Sequence, residues 1–167
     1  MSQPSPPHTL QTLTPGRALL TLLALLQPFG AFTADFNHTH IYNPLWPPHA
    51  KFHTGQTMSL SLYLCLFSQY LLWRRSPFSF PSKTSEQNIN FALDQLNIVL
   101  GLNAAYFVTQ ATAILFPEAA ALDPPGDPRS MPQFWVIGPF LVGNALGWWV
   151  ERRRLKGLLV GSGLKAE

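Results

Sequence analysis

The sequence predicts an all-α integral membrane protein built as a four-helix bundle, and three observations lead to that fold class. The chain contains four long apolar runs. Its composition is 47% hydrophobic and only 11% charged. Since a soluble domain is about 25% charged, too few charges are present to cover a soluble globule. The basic residues stand beside the apolar runs, a pattern that suits anionic lipid headgroups better than nucleic acid.

The four apolar runs are predicted to be membrane-spanning helices, because an unpaired strand cannot satisfy its backbone hydrogen bonds in lipid. A helix needs about 20 residues to cross the hydrocarbon core, and about 17 is the lower end of the range. The shorter runs are long enough to span the membrane when the aromatic and basic residues that flank them lie in the membrane interface. The predicted membrane domain covers residues 17–156, with spans at about 18–34, 57–73, 91–116 and 134–150.

Span 1 follows residues 1–16, whose composition predicts a disordered tail. The alternative for this span is a cleaved signal peptide. The apolar run fits that alternative, but Arg17 lies far from Met1. Cleavage after Ala34 would also leave Phe32 at a position where a small residue is needed. We therefore favour a retained helix.

Span 2 is preceded by a proline-rich segment. The residue before a proline avoids the helical region, so this segment is predicted to be extended or turned. Pro48 fits the first turn of a helix, where its missing N–H costs nothing. The helix can then begin near His49 instead of Thr57, and His49 and His53 would lie one turn apart on one face.

Span 3 carries polar side chains that need partners inside a membrane. Asp94 and Asn97 share a helix face, as do Asn103 and Gln110. We interpret these polar residues as a structural network between helices, formed by Asp94, Asn97, Asn103 and Asn144 of span 4. Hydrogen bonds between membrane helices are worth only about 0.6 kcal/mol on average, and this favours a role in helix contact over a functional one. A cation for Asp94 can come from the basic residues after span 2, which are Arg74, Arg75 and Lys83.

Span 4 contains the small-residue motif GNALG, from Gly143 to Gly147. Motifs of this kind allow two helices to approach each other closely. The residues after the basic cluster that ends this span, 157–167, are predicted to be a flexible tail.

The basic residues predict that both termini are cytoplasmic. With four spans, one side of the membrane receives most of them, namely Arg17, Arg74, Arg75, Lys83, Arg152, Arg153, Arg154 and Lys156. The opposite side receives Lys51 and Arg129. In a eukaryotic cell we expect the endoplasmic reticulum or another endomembrane. The glycosylation sequon at Asn37 faces the lumen in this arrangement, but it is so close to span 1 that we expect little use of it.

The most distinctive segment of the chain runs from Asp35 to His53 and holds four of the five histidines. Titratable clusters at a membrane edge are typical of functional sites. The predicted catalytic residues are Asp35, His38, His49 and His53. In this prediction His49 and His53 carry protons and Asp35 orients them. Neighbouring side chains are predicted to bind substrate: His40, Asn43 and Trp46.

Two other roles stay open for this segment. Two imidazoles one helical turn apart can bind a divalent metal, with a carboxylate as a further ligand. Because the spacing matches no closed zinc pattern, we assign no metal ligand and no cofactor. The histidines and Trp46 can instead anchor the loop, since both residue types tolerate a half-wet interface.

The eleven residues from Asn43 to His53, NPLWPPHAKFH, resemble a motif of a largely uncharacterised family of small four-span membrane proteins from fungi and bacteria. The resemblance covers Asp35 to about Val150 and includes the Phe116-Pro117 and Asp123-Pro124 elements. It implies the architecture and a candidate site, but no reaction. Some fungal members lie near secondary-metabolite genes, which would suit a membrane enzyme acting on lipophilic intermediates.

The sequence contains no nucleotide-binding loop, nucleophile elbow or zinc-protease motif. The predicted function is acid–base isomerisation or cyclisation of a lipophilic substrate, because such chemistry needs no dedicated cofactor site. The alternative is a non-enzymatic bundle that binds lipid or a partner membrane protein. The expected partners are membrane lipids, a lipophilic small molecule and further copies of the chain, and no nucleic acid.

Overall fold

The described part of the chain is all-helical. A computed structural model describes residues 10–75, 84–122, 126–127 and 130–161. Its helices are α1 (Pro15–Asp35), α2 (Pro48–Trp73), α3 (Thr84–Thr112) and α4 (Phe134–Gly161), with a 3-10 turn at Ala113–Leu115. These ranges contain no strand. Several predicted features lie outside the described residues: residues 1–9 and 162–167, Lys83, Asp123 and Arg129.

Local sequence explains where the first two helices begin. The side chain of Thr14 accepts a hydrogen bond from the backbone N–H of Arg17, 3.3 Å away, and Pro15 occupies the first turn of α1. In α2 the first residue is Pro48, so the prediction that this helix starts near His49 is confirmed. Both starts use proline where its missing N–H removes no helical hydrogen bond.

The four helices form a closed ring in which each one packs against the next and α4 packs back against α1. The backbones of α1 and α4 approach each other closely. A Cβ atom built on Gly16 would lie 2.8 Å from the carbonyl oxygen of Gly147, and one built on Gly143 would lie 3.1 Å from Leu23 Cδ1. The GNALG motif therefore does permit close helix contact, as predicted.

The interior is filled at one end of the ring. At this end α1 and α3 begin and α2 and α4 end, and we call it the Glu151 end. A cluster of buried side chains fills it: Leu20, Leu71, Leu72, Ile89, Ala92, Leu96, Val99, Leu155 and Leu159. The opposite end, where α1 stops at Asp35 and α2 starts at Pro48, is called the His-loop end.

Two of the four helices are long and apolar enough to cross a membrane, within the ranges that the structure describes. They are Pro15–Asp35 and the segment Glu86–Leu115. The helices α2 and α4 are also long, with 26 and 28 residues. Serine, glutamine, glycine and tryptophan among their apolar residues lower their mean hydropathy.

The polar side chains of α3 are divided between the interior and the surface. Asn103 is buried, donates to Asn144 Oδ1 at 2.9 Å, and accepts from Ser68 Oγ at 2.6 Å. Asn97 is exposed and accepts from the indole of Trp148 at 2.9 Å.

Asp94 lies apart from the polar network to which it was assigned. Its side chain is exposed and makes no hydrogen bond or ion pair with any described residue. Arg74, one of its predicted cations, donates instead to Gln95 Oε1 at 2.7 Å.

Candidate functional site

The bundle contains a cavity of about 570 Å³ near the His-loop end, and all four helices contribute to its wall. This volume is typical of sites for small molecules. The wall is mostly apolar, with Leu26, Leu60, Phe107, Val136 and Phe140 among its residues. A smaller number of polar side chains are interspersed: Gln27, Asp35, Thr57, Tyr106, Thr109, Gln110 and Gln133.

The cavity exists because small residues line it where large ones fill the opposite end. On α1 the lining includes Gly30, Ala31 and Ala34, and Ala113 follows α3. A Cβ atom built on Gly30 would meet nothing within 4 Å. The leucines packed near the Glu151 end have no counterpart at these positions, so the space between the helices stays open.

Asp35 is the predicted catalytic residue that lines this cavity. It is the last residue of α1, and its side chain is 19% exposed. Its Oδ1 lies 3.8 Å from Nε2 of His40. The loop after α1 turns back on itself, with Ile41 N–H donating to the carbonyl of Asp35 at 3.3 Å. That turn makes His40 the partner of Asp35, and not His49 or His53 as expected.

The hydrogen bonds around His40 fix which ring nitrogen carries the proton. The hydroxyl of Thr39 donates to Asn37 Oδ1 at 2.7 Å and lies 2.7 Å from His40 Nδ1. Because that hydroxyl has a single proton, Nδ1–H of His40 must donate to Thr39. The lone pair on Nε2 then faces Asp35. At 3.8 Å the contact is one of charge between Asp35 and a protonated His40, and no hydrogen bond joins these two side chains.

Residues of the loop hold this pair in place. The side-chain amide of Asn37 donates to the carbonyls of Thr33 and Ala34 at 3.1 and 2.7 Å, which caps the end of α1. Trp46 packs edge-on against the His40 ring, with centroids 4.8 Å apart. Asn43 accepts from the N–H of Leu45 at 2.9 Å. Asn43, Trp46 and His40, predicted to bind substrate, do not line the cavity.

His49 and His53 form a separate pair. Their Nε2 atoms are 3.1 Å apart, their ring centroids are 4.5 Å apart, and both side chains are exposed. They share a helix face, as predicted. Thr57, on the cavity wall, continues the same face one turn further along α2. His53 therefore lies about 6 Å above a cavity residue along the helix axis.

The four predicted catalytic residues thus fall into different surroundings. Asp35 is paired with His40, and His49 is paired with His53. His38 is exposed, and its ring lies 5.8 Å from that of Tyr42. Within the described residues no three His, Cys, Asp or Glu side chains come together as they would to hold a metal ion.

Several cavity residues were missed by the sequence argument. Tyr106 is the clearest example, because Asn103, Tyr106 and Gln110 follow the i, i+3, i+7 spacing of one helix face. The spacing could have identified it, since Asn103 and Gln110 were already on that face. Gln27 is also on the cavity wall, and its amide donates to the carbonyl of Ser61 at 3.3 Å.

A second polar cluster at the Glu151 end was also missed. Glu151 and Arg17 are 0% and 3% exposed, and Arg17 Nε donates to Glu151 Oε1 at 2.8 Å. Arg154 donates to Oε1 at 2.7 Å and Thr14 to Oε2 at 2.6 Å. Arg17 also donates to the carbonyl of Leu72. The carboxylate therefore joins the start of α1 to the end of α4.

The surroundings of Glu151 shift its pKa. Burial by itself raises the pKa of this carboxyl, but the hydrogen bonds from Arg154 and Thr14 and the charges of Arg154 and Arg17 outweigh burial. The net effect is a pKa below the ordinary glutamate value. Glu151 is far along α4 from the cavity-lining residues Val136 and Phe140, so we assign it to the assembly of the bundle.

Comparisons with known proteins identify a family but no reaction. A model described as a family of unknown function (DUF6640) matches residues 19–160, which include nearly all of the four helices. No curated protein and no solved structure matches the chain. The match agrees with the expectation of an uncharacterised family.

Proposed function

This chain belongs to the family of unknown function DUF6640, and we propose that it is a multi-pass membrane protein that isomerises or cyclises a lipophilic molecule held in its interhelical cavity. The single observation that carries the proposal is the position of Asp35. Its carboxylate lies on the wall of a largely apolar cavity, 3.8 Å from Nε2 of His40.

Insertion of all four helices is supported by the surface of the bundle. Large apolar side chains are exposed on every helix, for example Leu25 and Phe29 on α1, Leu66 on α2, Val108 on α3 and Val142 on α4. Large apolar side chains exposed on all four helices are expected where a protein contacts a membrane or a partner. Lipid would cover these side chains, including those of α2 and α4.

Aromatic and basic side chains support an interface at the Glu151 end. Arg153 lies over the ring of Trp149 at 4.0 Å, Arg152 over Trp148 at 5.1 Å, and Arg74 over Tyr70 at 5.5 Å. Such residues are enriched where a helix leaves the hydrocarbon core. We propose that this end is cytoplasmic, and that in a eukaryotic cell the membrane is the endoplasmic reticulum or another endomembrane.

The proposed chemistry uses one proton-transfer pair twice. Asp35, the member of the pair that lines the cavity, removes a proton from one carbon of the substrate and returns a proton to another position, with His40 beside it as the second proton carrier. An isomerisation of this kind consumes no co-reactant and leaves the pair in its starting state. The apolar wall would hold the substrate and keep water away from the reacting carbon atoms.

His49 and His53 remain predicted proton carriers in this proposal, although they do not line the cavity. They lie above it on the helix face that continues through Thr57. The alternative function, a non-enzymatic bundle that binds lipid, is favoured by the exposure of both imidazoles, since exposed histidines suit an interfacial anchor.

The test compares Asp35→Asn with Asp94→Asn in cells that lack the native gene. Both changes remove one carboxylate, but only Asp35 lines the cavity. Metabolite profiling should show that Asp35→Asn accumulates a lipophilic precursor like the deletion strain, while Asp94→Asn restores the native profile. If Asp35→Asn also restores that profile, the enzymatic proposal fails. Lipid that is still retained by the purified variant would then favour the binding function.

A further inference from the structure

We propose that His49 and His53 chelate a late first-row divalent metal ion of the Zn²⁺ type through their Nε2 atoms. The inference goes beyond the proposed function, because it assigns a metal ligand role to two side chains that the proposed function treats only as proton carriers. It rests on the distance between the two nitrogen atoms, the hydrogen bond that sets the tautomer of His53, and the position of the pair on α2.

The distance between the nitrogen atoms fits two ligands of one metal ion. Zinc binds histidine nitrogen at about 2.0–2.1 Å. When the N–Zn–N angle lies between its square-planar and tetrahedral values, the two ligand nitrogen atoms are therefore about 2.9–3.4 Å apart. The Nε2 atoms of His49 and His53 are 3.1 Å apart. Because both residues lie on consecutive turns of one helix, the backbone holds this separation without a loop closure.

Gln56 prepares His53 for metal binding. Its Oε1 lies 3.2 Å from Nδ1 of His53, and an amide oxygen can only accept a hydrogen bond. Nδ1 of neutral His53 therefore carries the proton, and Nε2 offers its lone pair. Metal-ligating histidines generally donate their other ring N–H in this way, which fixes the orientation of the ring. A metal ion would replace the proton that the two Nε2 atoms otherwise share.

The site would be open. Within the described ranges no third His, Cys, Asp or Glu side chain joins this pair, so water or another oxygen ligand must complete the coordination. Open positions are typical of metal sites that exchange ligands, whereas structural zinc sites are closed by four protein ligands. Because Thr57 of the cavity wall lies one turn below His53 on the same face, the open positions are near the cavity end of α2.

The choice of metal follows from the ligands. Two imidazoles suit Zn²⁺, Cu²⁺ and Ni²⁺, whereas Mg²⁺ and Ca²⁺ prefer oxygen ligands. A two-histidine site with water ligands should therefore bind Zn²⁺ and be insensitive to an excess of Mg²⁺.

The test is a Zn²⁺ titration of the tag-free, full-length protein in detergent after removal of metal by a chelator. We expect one equivalent to bind to the wild type in the presence of excess Mg²⁺. His49→Gln and His53→Gln should each weaken binding at least about tenfold, and Gln56→Leu should weaken it about tenfold through the lost ring orientation. Since both histidines are exposed, these variants should fold.

Two controls make the result specific. His38→Gln removes an exposed histidine of the same segment and should leave Zn²⁺ binding unchanged. The double variant His53→Gln with Gln56→His keeps the number of histidines but spaces them two turns apart, and it should bind as weakly as His53→Gln. Wild-type protein that binds no Zn²⁺, or binding that is equal in the wild type and in His49→Gln, would overturn the proposal. Asp35→Asn should bind Zn²⁺ normally, so failure here is distinguishable from failure of the proposed function.

Discussion

Oδ1 of Asp35 lies 3.8 Å from Nε2 of His40, where α1 ends beside the interhelical cavity. The two residues are five positions apart, and the turn that follows α1 brings them together. Since Nδ1 of His40 is already engaged with Thr39, the ring can take up a proton only on the side that faces Asp35. In the proposed reaction, His40 is therefore the residue on which proton transfer by Asp35 should depend.

Replacing His40 by glutamine should reduce the reaction about 100-fold, because a positioned acid–base group typically contributes at least that factor. Glutamine keeps a polar side chain but cannot accept the proton. The measurement is the conversion of the precursor that accumulates in the deletion strain, made with purified variants. His38→Gln is the matched control. Although the sequence predicted a catalytic role for His38, its side chain is exposed and does not line the cavity, so this variant should be fully active. Equal losses in both variants would instead indicate a structural effect on the loop.

A side chain that fills the cavity should weaken the retention of lipid that we propose for this site, without unfolding the bundle. Gly30→Leu places a side chain in open space on the cavity wall. Overpacking costs about 1–3 kcal/mol, which corresponds to about 5–150-fold weaker retention of a ligand. Mass spectrometry of lipids retained by the purified protein measures this loss.

The matched control for that change is Gly55→Leu. A Cβ atom on Gly55 also meets nothing within 4 Å, but Gly55 does not line the cavity. The control should retain the same lipids as the wild type. A Gly30→Leu protein that is stable and retains the wild-type amount of lipid would show that this cavity is not the binding site.

The contact between Gly16 and Gly147 should make Gly16→Ala destabilising. The new Cβ would lie 2.8 Å from the carbonyl oxygen of Gly147 and from the backbone nitrogen of Glu151, and neither can move independently of α4. We expect a loss of about 1–3 kcal/mol in the free energy of unfolding. Gly30→Ala, which meets no atom, should be neutral or stabilising by up to about 1 kcal/mol. The two variants are compared by thermal unfolding in detergent, in which each kcal/mol of stability should shift the unfolding temperature by about 2–4 °C.

Features that depend on local spacing were predictable from the sequence. The start of α2 at Pro48 follows from the backbone chemistry of proline, and the juxtaposition of His49 and His53 follows from helical periodicity. The close approach at Gly147 follows from the small-residue motif. Each of these depends on residues that are neighbours along one helix, so no knowledge of the tertiary fold was needed.

Features that depend on packing between segments could not be predicted in the same way. The partner of Asp35 is set by a turn whose hydrogen bonds involve Asn37 and Ile41, and nothing in the spacing of the histidines reveals that turn. The cavity results from the absence of large side chains at Gly30 and Ala31, which appears only when the helices are assembled. Glu151 was not predicted to be a structural residue, because it adjoins a basic cluster in the sequence. A carboxylate in such a cluster is expected to be exposed to solvent.

The ion pair of Glu151 should make the bundle sensitive to acid. The folded-state pKa of Glu151 is depressed relative to its ordinary value, which is about 4.3 in the unfolded chain. A carboxyl with a depressed pKa contributes its full stabilisation above the unfolded value, and that contribution is lost as the pH falls through the folded value. The contribution of Glu151 to the unfolding temperature of the wild type should therefore be constant near neutral pH, and the unfolding temperature should fall below about pH 4 to 5.

Glu151→Gln tests this reasoning. The change leaves the buried guanidinium of Arg17 without its counter-charge, and breaking a buried pair in this way costs about 3–5 kcal/mol. The variant should therefore unfold at a lower temperature at neutral pH, and the part of the acid-induced decline that depends on this carboxyl should be absent. The comparison is made with Asp94→Asn, which removes an exposed carboxylate and should keep the wild-type curve. If the Glu151→Gln and wild-type curves stay parallel from neutral pH down to about pH 3, Glu151 does not carry the acid response.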